Sequence, residues 1–251
     1  MLLQDKVAVV TGGAAGLGKA IVLEYLNQGA VVVAVDINTA KLEQLKEETA
    51  AGERLFTVTG DVSSKADNEN LLDYVYETFG RLDILVNNAG ISDGMLPVAE
   101  VLDEEWEKVI AINLTGPFLL CRGAVKRMLE REQTGSIINI ASASGVGGGR
   151  AGAAYVSSKF GLVGLTKNIA YMYGPKNIRC NAICPGYVDT GISGLNVHSS
   201  AYGIERVSQG TKLIRAGVPQ EIADLAVYLA SDKSSLVNGV EILADAGKGA
   251  Y

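Results

Sequence analysis

The sequence predicts an α/β fold built on a parallel sheet. Three observations carry that expectation: short β-branched runs that are apolar on both faces, helical patterns alternating with them, and a glycine-rich turn between the first run and the first helix. A chain of 251 residues buries about 72 % of the surface its unfolded form exposes, enough for one substantial core without staples or metals. One domain over residues 1–251 is therefore expected.

The first run, Lys6 to Val10, stops at Thr11-Gly12-Gly13-Ala14-Ala15-Gly16-Leu17-Gly18, and a helical pattern of Ile21, Val22, Tyr25 and Leu26 follows. Glycines there allow positive φ and let backbone N–H groups approach a pyrophosphate at the helix amino terminus. Their spacing is G-x-x-x-G-x-G, not the G-x-G-x-x-G fingerprint. The second run, Val31 to Val35, ends at Asp36, eighteen residues after Gly18, where a ribose-binding carboxylate belongs. Its other reading is an N-cap for a helix from about Thr39 to Ala50. With Ala15 where a basic residue would hold a 2′-phosphate, Asp36 points to NAD over NADP.

Leu55 to Thr59 forms a third run, closed by Gly60-Asp61-Val62, and a helix from about Ser64 to Phe79 leads to a strand at Ile84-Leu85-Val86. Asn87-Asn88-Ala89-Gly90 follows, and taken alone it reads as turn chemistry. Asp103, Glu104 and Glu105 open an amphipathic helix with Trp106, Val109, Ile110 and Leu114. Asn113 inside it is a mediocre helix former, and Pro117 should kink the helix or leave a carbonyl free. The apolar run Ile137 to Ala141 is a further strand, a helix continues to about Tyr173, and Asn177 to Ile183 is the next strand. Residues 187–215 have little periodicity and read as a lid or substrate loop, with His198, the only histidine, as a solvated loop residue. Pro219 is the first position of a helix to about Ala230, and Val240 to Leu243 is a last strand.

The stretch from Ala141 to Lys159 carries chemistry. Tyr155 and Lys159 lie four residues apart in a helical run, so both side chains project from one face. An ammonium about 5 Å from a phenol at an effective dielectric of about 20 favours the phenolate by roughly 3 kcal/mol, a shift on the order of two pKa units. Such a pair by itself is common on solvated helix faces. Ser142, at a strand's carboxyl end, falls where open α/β sheets bind ligands. Ser92 to Met95, Ser144 to Arg150 and Tyr187 complete the candidate substrate pocket with the 187–215 loop.

The net charge of −6 and the absence of a basic cluster exclude a nucleic-acid footprint and argue against an anionic membrane. No apolar run approaches about 20 residues, so no membrane span is expected. Cys121, Cys180 and Cys184 form no C-x-x-C pair, which argues against disulfides and zinc; no metal site is expected. Nothing at the amino terminus looks like a cleavable signal, and a reducing cytoplasm fits best.

Together, Thr11-Gly12-x-x-x-Gly16-x-Gly18, Asp61, Asn87-Asn88-Ala89-Gly90, Asn113, Ser142, Tyr155-x-x-x-Lys159 and Pro185-Gly186-x-Val188-x-Thr190 resemble the motif series of the short-chain dehydrogenase/reductase family across almost the whole chain. The resemblance implies a Rossmann-type, doubly wound, seven-stranded parallel sheet with helices on both faces, in a homo-oligomer, a tetramer rather than a dimer. It implies that Gly12, Gly16, Leu17 and Gly18 hold the pyrophosphate side of the cofactor, Asp36 and Ile37 the adenosine ribose, and Asp61 and Val62 the adenine. Asn88, Ala89 and Gly90 would hold the middle of the dinucleotide, and Gly186, Val188 and Thr190 the nicotinamide end. Tyr155 would be the general acid/base, with Lys159 lowering its pKa and binding the nicotinamide ribose. Ser142 would orient the substrate oxygen, and Asn113 would hold a water linking Lys159 to solvent.

The implied activity is NAD-dependent interconversion of a secondary alcohol and its ketone by hydride transfer, acting on a small molecule. Alternatives are an NADPH-linked 3-oxoacyl-carrier-protein reductase with a basic entrance patch, and a catalytically silent regulatory member of the fold. The carboxyl-terminal Asp245-Ala246-Gly247 departs from the family's usual Asp-Gly-Gly, as Val237-Asn238-Gly239 departs from Ile-Thr-Gly.

Overall fold

The computed structural model describes residues 1–49, 52–190, 198–210 and 214–250. Seven strands form one parallel sheet: β1 (Val7–Thr11), β2 (Val31–Asp36), β3 (Leu55–Thr59), β4 (Ile84–Asn87), β5 (Gly135–Ile140), β6 (Ile178–Pro185) and β7 (Glu241–Ala244). Their order is β3-β2-β1-β4-β5-β6-β7, and every pairing is parallel. The order reverses between β1 and β4, the switch point at which sheets of this kind bind ligands.

The helices are α1 (Gly16–Asn27), α2 (Thr39–Glu48), α3 (Lys65–Phe79), α4 (Asp103–Ile110), α5 (Gly116–Glu130), α6 (Ala153–Tyr173), α7 (Ala201–Ser208) and α8 (Pro219–Ala230). Both sheet faces are covered, which is why the strands read as continuous apolar runs. Along β1, Ala8 and Val10 join Ile21, Tyr25, Leu42, Leu45 and Val227 of α1, α2 and α8 on one side. Val7 and Val9 join Leu71, Leu72, Leu120, Met128 and Ile169 of α3, α5 and α6 on the other.

Two features differ from expectation. The helix opened by Asp103 is interrupted by a π-turn at Ala111–Thr115, where Gly116 N–H donates five residues back to the Ala111 carbonyl before α5 begins with Pro117 in its first turn. Pro117 has no N–H to donate to the Asn113 carbonyl, so the freed carbonyl and the irregular turn coincide. The whole stretch 103–130 is long and apolar enough by composition to cross a membrane, yet half of its most apolar window is buried inside this protein. In the expected 187–215 loop, residues 201–208 form α7, whose Ser200 hydroxyl caps it by accepting from Gly203 N–H at 3.0 Å. Eight residues interrupted by a glycine are too few for periodicity to register. Residues 191–197 and 211–213 of that loop lie outside the described residues.

Candidate active site

A cavity of about 640 Å³ opens at the carboxyl ends of the strands, over the switch point. The glycine turn lines it because no side chain fits there. Gly12 and Gly16 have φ of +60° and +50°. A Cβ on Gly16 would sit 2.9 Å from the Thr190 carbonyl oxygen, and one on Gly18 would overlap the Gly12 carbonyl and the Asn88 amide. The turn is held from β4: Thr11 Oγ1 accepts from Asn88 N–H (3.0 Å) and Ala89 N–H (3.1 Å), while Asn88 Nδ2 donates to the Thr11 carbonyl at 2.9 Å. Asn87-Asn88-Ala89-Gly90 is thus more than a turn, since it ties the two strands on either side of the switch point.

Leu17, Asp36, Ile37, Asp61, Val62, Asn88, Ala89 and Gly90 also line this cavity, as do Gly186, Val188 and Thr190 from the segment after β6. Asp36 does not cap α2; Asn38 does, accepting from Lys41 N–H at 3.0 Å. Asp36 instead accepts from Ala14 N–H (3.2 Å) and Asn38 N–H (3.0 Å), which fixes its carboxylate at the mouth. Lys41 lines the same cavity, a basic group the sequence reading did not weigh. Gly186 has a packing reason of its own, because a Cβ there would fall 2.7 Å from Asp245 Cβ.

Ser142, Tyr155 and Lys159 come together in the lining of the cavity. Ser142 follows β5 in extended backbone, and its hydroxyl accepts from Ser144 N–H at 3.0 Å. Lys159, 4 % exposed, donates to the Ile140 carbonyl at 2.9 Å, and its Nζ lies 5.5 Å from the Tyr155 ring centre. The expected electrostatics are corrected here. Burial raises the Tyr155 phenol above its ordinary range; the Ser142 hydroxyl opposes that rise and the Asp93 charge adds to it. Burial also pushes the Lys159 ammonium down to about 8. Desolvation is the largest influence on each group, so neither shifts in the direction that mutual attraction at a surface-like dielectric would favour.

Asn113 is fully buried in the π-turn and does not face the cavity directly. Its Oδ1 accepts from Ile91 N–H and its Nδ2 donates to the Ile91 carbonyl, both at 2.9 Å, with a further bond of 3.3 Å to Ser158 Oγ. Ser158 Oγ donates in turn to the Tyr155 carbonyl at 2.7 Å. The side chain is therefore engaged in joining the segment after β4 to α6, and its backbone carbonyl is the group left for a water.

Asp93 falls in the stretch Ser92 to Met95 expected at the substrate pocket, but sequence reasoning missed its role: buried, it accepts from the backbone N–H groups of Gly152 and Tyr155. The available signal was that α6 starts at Gly152-Ala153-Ala154 with no residue able to cap it. It also missed the Arg150–Asp245 pair at 3.7 Å, which joins the expected substrate wall to the segment after β7. His198 is exposed, 4.0 Å from Glu105. The three cysteines are buried, and Cys121 and Cys180 face the amides of Asn87 and Asn139.

A family model described as enoyl-(acyl carrier protein) reductase matches residues 12–248. The chain is 45 % identical over 252 residues to 3β-hydroxysteroid dehydrogenase 2 of Eggerthella lenta, covering all of this chain and 97 % of that protein. It is 35 % identical over 249 residues to the 3-oxoacyl-acyl-carrier-protein reductase FabG of Thermotoga maritima, covering 98 % and 99 %. The crystal structure of levodione reductase superimposes with a TM-score of 0.88 at 35 % identity, covering 99 % of this chain and all of that one. With its seven-stranded Rossmann-type sheet and these relatives, the chain belongs to the short-chain dehydrogenase/reductase family of oxidoreductases.

Proposed function

We propose that this oxidoreductase uses NAD in preference to NADP to interconvert a secondary alcohol and its ketone, with Tyr155 as the acid/base. The observation that carries this reading is the meeting of Tyr155, Ser142 and Lys159 in the lining of a cavity floored by side-chain-free backbone. Members of the family bind nicotinamide cofactors, and the residues fit one. Gly12, Gly16, Leu17 and Gly18 leave room for a pyrophosphate at the α1 amino terminus. Asp36 and Ile37 take the adenosine ribose, Asp61 and Val62 the adenine, and Asn88, Ala89 and Gly90 the middle of the molecule. Gly186, Val188 and Thr190 take the nicotinamide end. When bound, the nicotinamide accepts or donates the hydride.

Ser142 orients the substrate oxygen toward Tyr155 Oη. The raised phenol holds its proton at neutral pH, so it stands ready as the acid for ketone reduction. Alcohol oxidation requires that proton to leave first, and Lys159 with a water at the Asn113 carbonyl supplies the path. Oxidation is accordingly favoured at alkaline pH.

Asp36 opposes a 2′-phosphate by charge, while Lys41, the basic side chain that shares the cavity with Lys159 among the described residues, favours it. A carrier-protein reductase is the second reading, supported by the names of the family model and of the Thermotoga maritima relative. Against it, Arg150 and Arg215, in the segments expected to line the pocket, sit beside Asp245 and Glu221 and offer no free basic patch. A homo-oligomer, a tetramer rather than a dimer, accords with the exposed Trp106, Phe118, Phe160 and Tyr171 on α4, α5 and α6. The buried thiols accord with a reducing cytoplasm.

The test is a panel of secondary alcohols and ketones, 3-hydroxysteroids first, assayed with NAD and NADP by nicotinamide absorbance. NAD is expected to give the higher kcat/KM, and Tyr155→Phe is expected to bind it normally while losing about 10³-fold or more in kcat. Undiminished turnover in that variant rejects the mechanism, and equal use of NADP rejects the coenzyme assignment.

A further inference from the structure

Asp93 lies in the segment after β4, 2 % exposed. A carboxylate is costly to bury unless donors surround it. Three backbone N–H groups do so: Met95 at 3.2 Å and Gly152 at 3.1 Å donate to Oδ1, and Tyr155 at 2.8 Å donates to Oδ2. Gly152, the residue before α6, has no side chain to cap the helix, and the first turn carries no acid. The orphan N–H groups and positive end of this helix are therefore satisfied from across the fold. A Cβ on Gly152 would fall 2.6 Å from the carboxylate, so the glycine makes room for the cap.

The same carboxylate grips a second element. Gly94 and Met95 have φ of +65° and +62°, and Met95 is not a residue that adopts this conformation freely. Oδ1 holds its N–H there. The pair forms the seat of the 198–208 segment: Ser200 N–H donates to the Gly94 carbonyl at 3.2 Å, and Gly203 packs so closely on the Met95 carbonyl that a Cβ would overlap it. Ala153 N–H donates to the Leu96 carbonyl at 2.8 Å, closing the junction.

We propose that Asp93 is a positioning residue for Tyr155, capping α6 from outside the helix and fixing in one grip both the phenol's place in the cavity and the seat of α7. The inference rests on the reading of Tyr155 as the acid/base. Asp93 and Lys159, one turn along α6, are the charged groups that bear on Tyr155 among the described residues. Lys159 in turn faces the Cys184 thiol.

Asp93→Asn separates positioning from mere support. The isosteric amide keeps an oxygen for Met95 and Gly152 but turns its NH2 group against Tyr155 N–H, and it removes the negative charge. We expect kcat to fall about tenfold or more with coenzyme KM unchanged. The limb of the pH profile that belongs to Tyr155 should move to lower pH, because the charge that raised the phenol is gone. A carboxylate of structural value only would lower the melting temperature and leave kcat and that limb at wild-type values; this outcome overturns the proposal. Amide hydrogen exchange on the wild-type protein decides the matter even where the variant does not fold. Gly152 and Tyr155 N–H should be protected as well as the α6 interior, and exchange at the rate of an uncapped helix end overturns the inference. Loss or retention of turnover in Tyr155→Phe is read separately, so a failure of the acid/base reading is distinguishable from a failure of the cap.

Discussion

The dinucleotide cavity and the segments beside it are walled by different means. The dinucleotide wall consists of strand ends and a glycine turn, each shaped by residues within a few positions of a strand, with Thr11 and Asn88 stitching β1 to β4. The other side consists of the segments 91–96, 143–152 and 198–208; they give only Ile91 to that cavity and, contrary to the pocket expected from the sequence, line a second cavity of about 420 Å³ through Met95, Gly148, Gly149, Gly152, Tyr202 and Gly203. They are held by Asp93, by Arg150 against Asp245, and by Gly203 against Met95, all contacts between residues far apart in the chain. One wall is thus fixed by steric exclusion and short-range geometry, and the other by a few polar or close-packed junctions. A substitution on the first wall should act by overlap; one on the second should act through a junction.

The sharpest way to break the comparison is on the dinucleotide wall. Gly18→Ala places a methyl group against the Gly12 carbonyl and the Asn88 amide, and the turn must move to admit it. We expect coenzyme affinity to fall about 100-fold and stability by about 1–3 kcal/mol, measured by fluorescence titration and thermal denaturation. Wild-type affinity would show that the turn is compliant and the first wall is not fixed by overlap.

A second test lies where the walls meet. Lys159 is buried with its pKa down at about 8, below the ordinary 10.5, so its charge costs stability at neutral pH. Between about pH 8 and 10.5 the unfolded chain binds the proton that the native site has released, so the native state gains stability as pH rises. Lys159→Met should abolish turnover yet stabilise the fold at pH 7 by about 1–2 kcal/mol, after loss of the bond to the Ile140 carbonyl is deducted from the pKa-linked gain. That advantage should shrink toward pH 10. Denaturant melts of both proteins from pH 7 to 10 check it, and a variant less stable at pH 7 contradicts the burial argument.

The smallest effect belongs to the second wall. Ala246 has φ of +58° beside Asp245, where the family usually has glycine. Ala246→Gly relieves a left-handed non-glycine residue but adds freedom to the unfolded chain. A net gain of about 0.5 kcal/mol, about 1–2 °C in melting temperature, is expected with kcat/KM unchanged. A changed kcat/KM would mean that strain in this segment reaches the Arg150 junction.

The same contrast explains what reading the sequence reached. The β-α alternation and the strand-end motifs were legible because their causes are local: a two-sided apolar run, a glycine spacing, an acid after β2. Ser142, Tyr155 and Lys159 fall at the expected strand end and helix face for that reason. Asp93 lay within the expected stretch Ser92 to Met95, but its capping role was illegible because its three donors include residues 59 and 62 positions away. The direction of the Tyr155 shift was misjudged because burial, a property of the assembled fold, sets it. The π-turn announced itself only as an ill-placed asparagine followed by a proline.

That π-turn makes helix length a functional variable. It is one residue too long for regular α geometry, and the surplus is what lets Asn113 reach Ile91 while α4 and α5 stay in line. Deleting a single residue between 111 and 115 would remove the widened turn and let regular α spacing run from α4 into α5 with their faces kept. Asn113 would then lose its reach to Ile91 and Ser158. The chain can therefore lose a residue from most surface loops at little cost, but this helix counts.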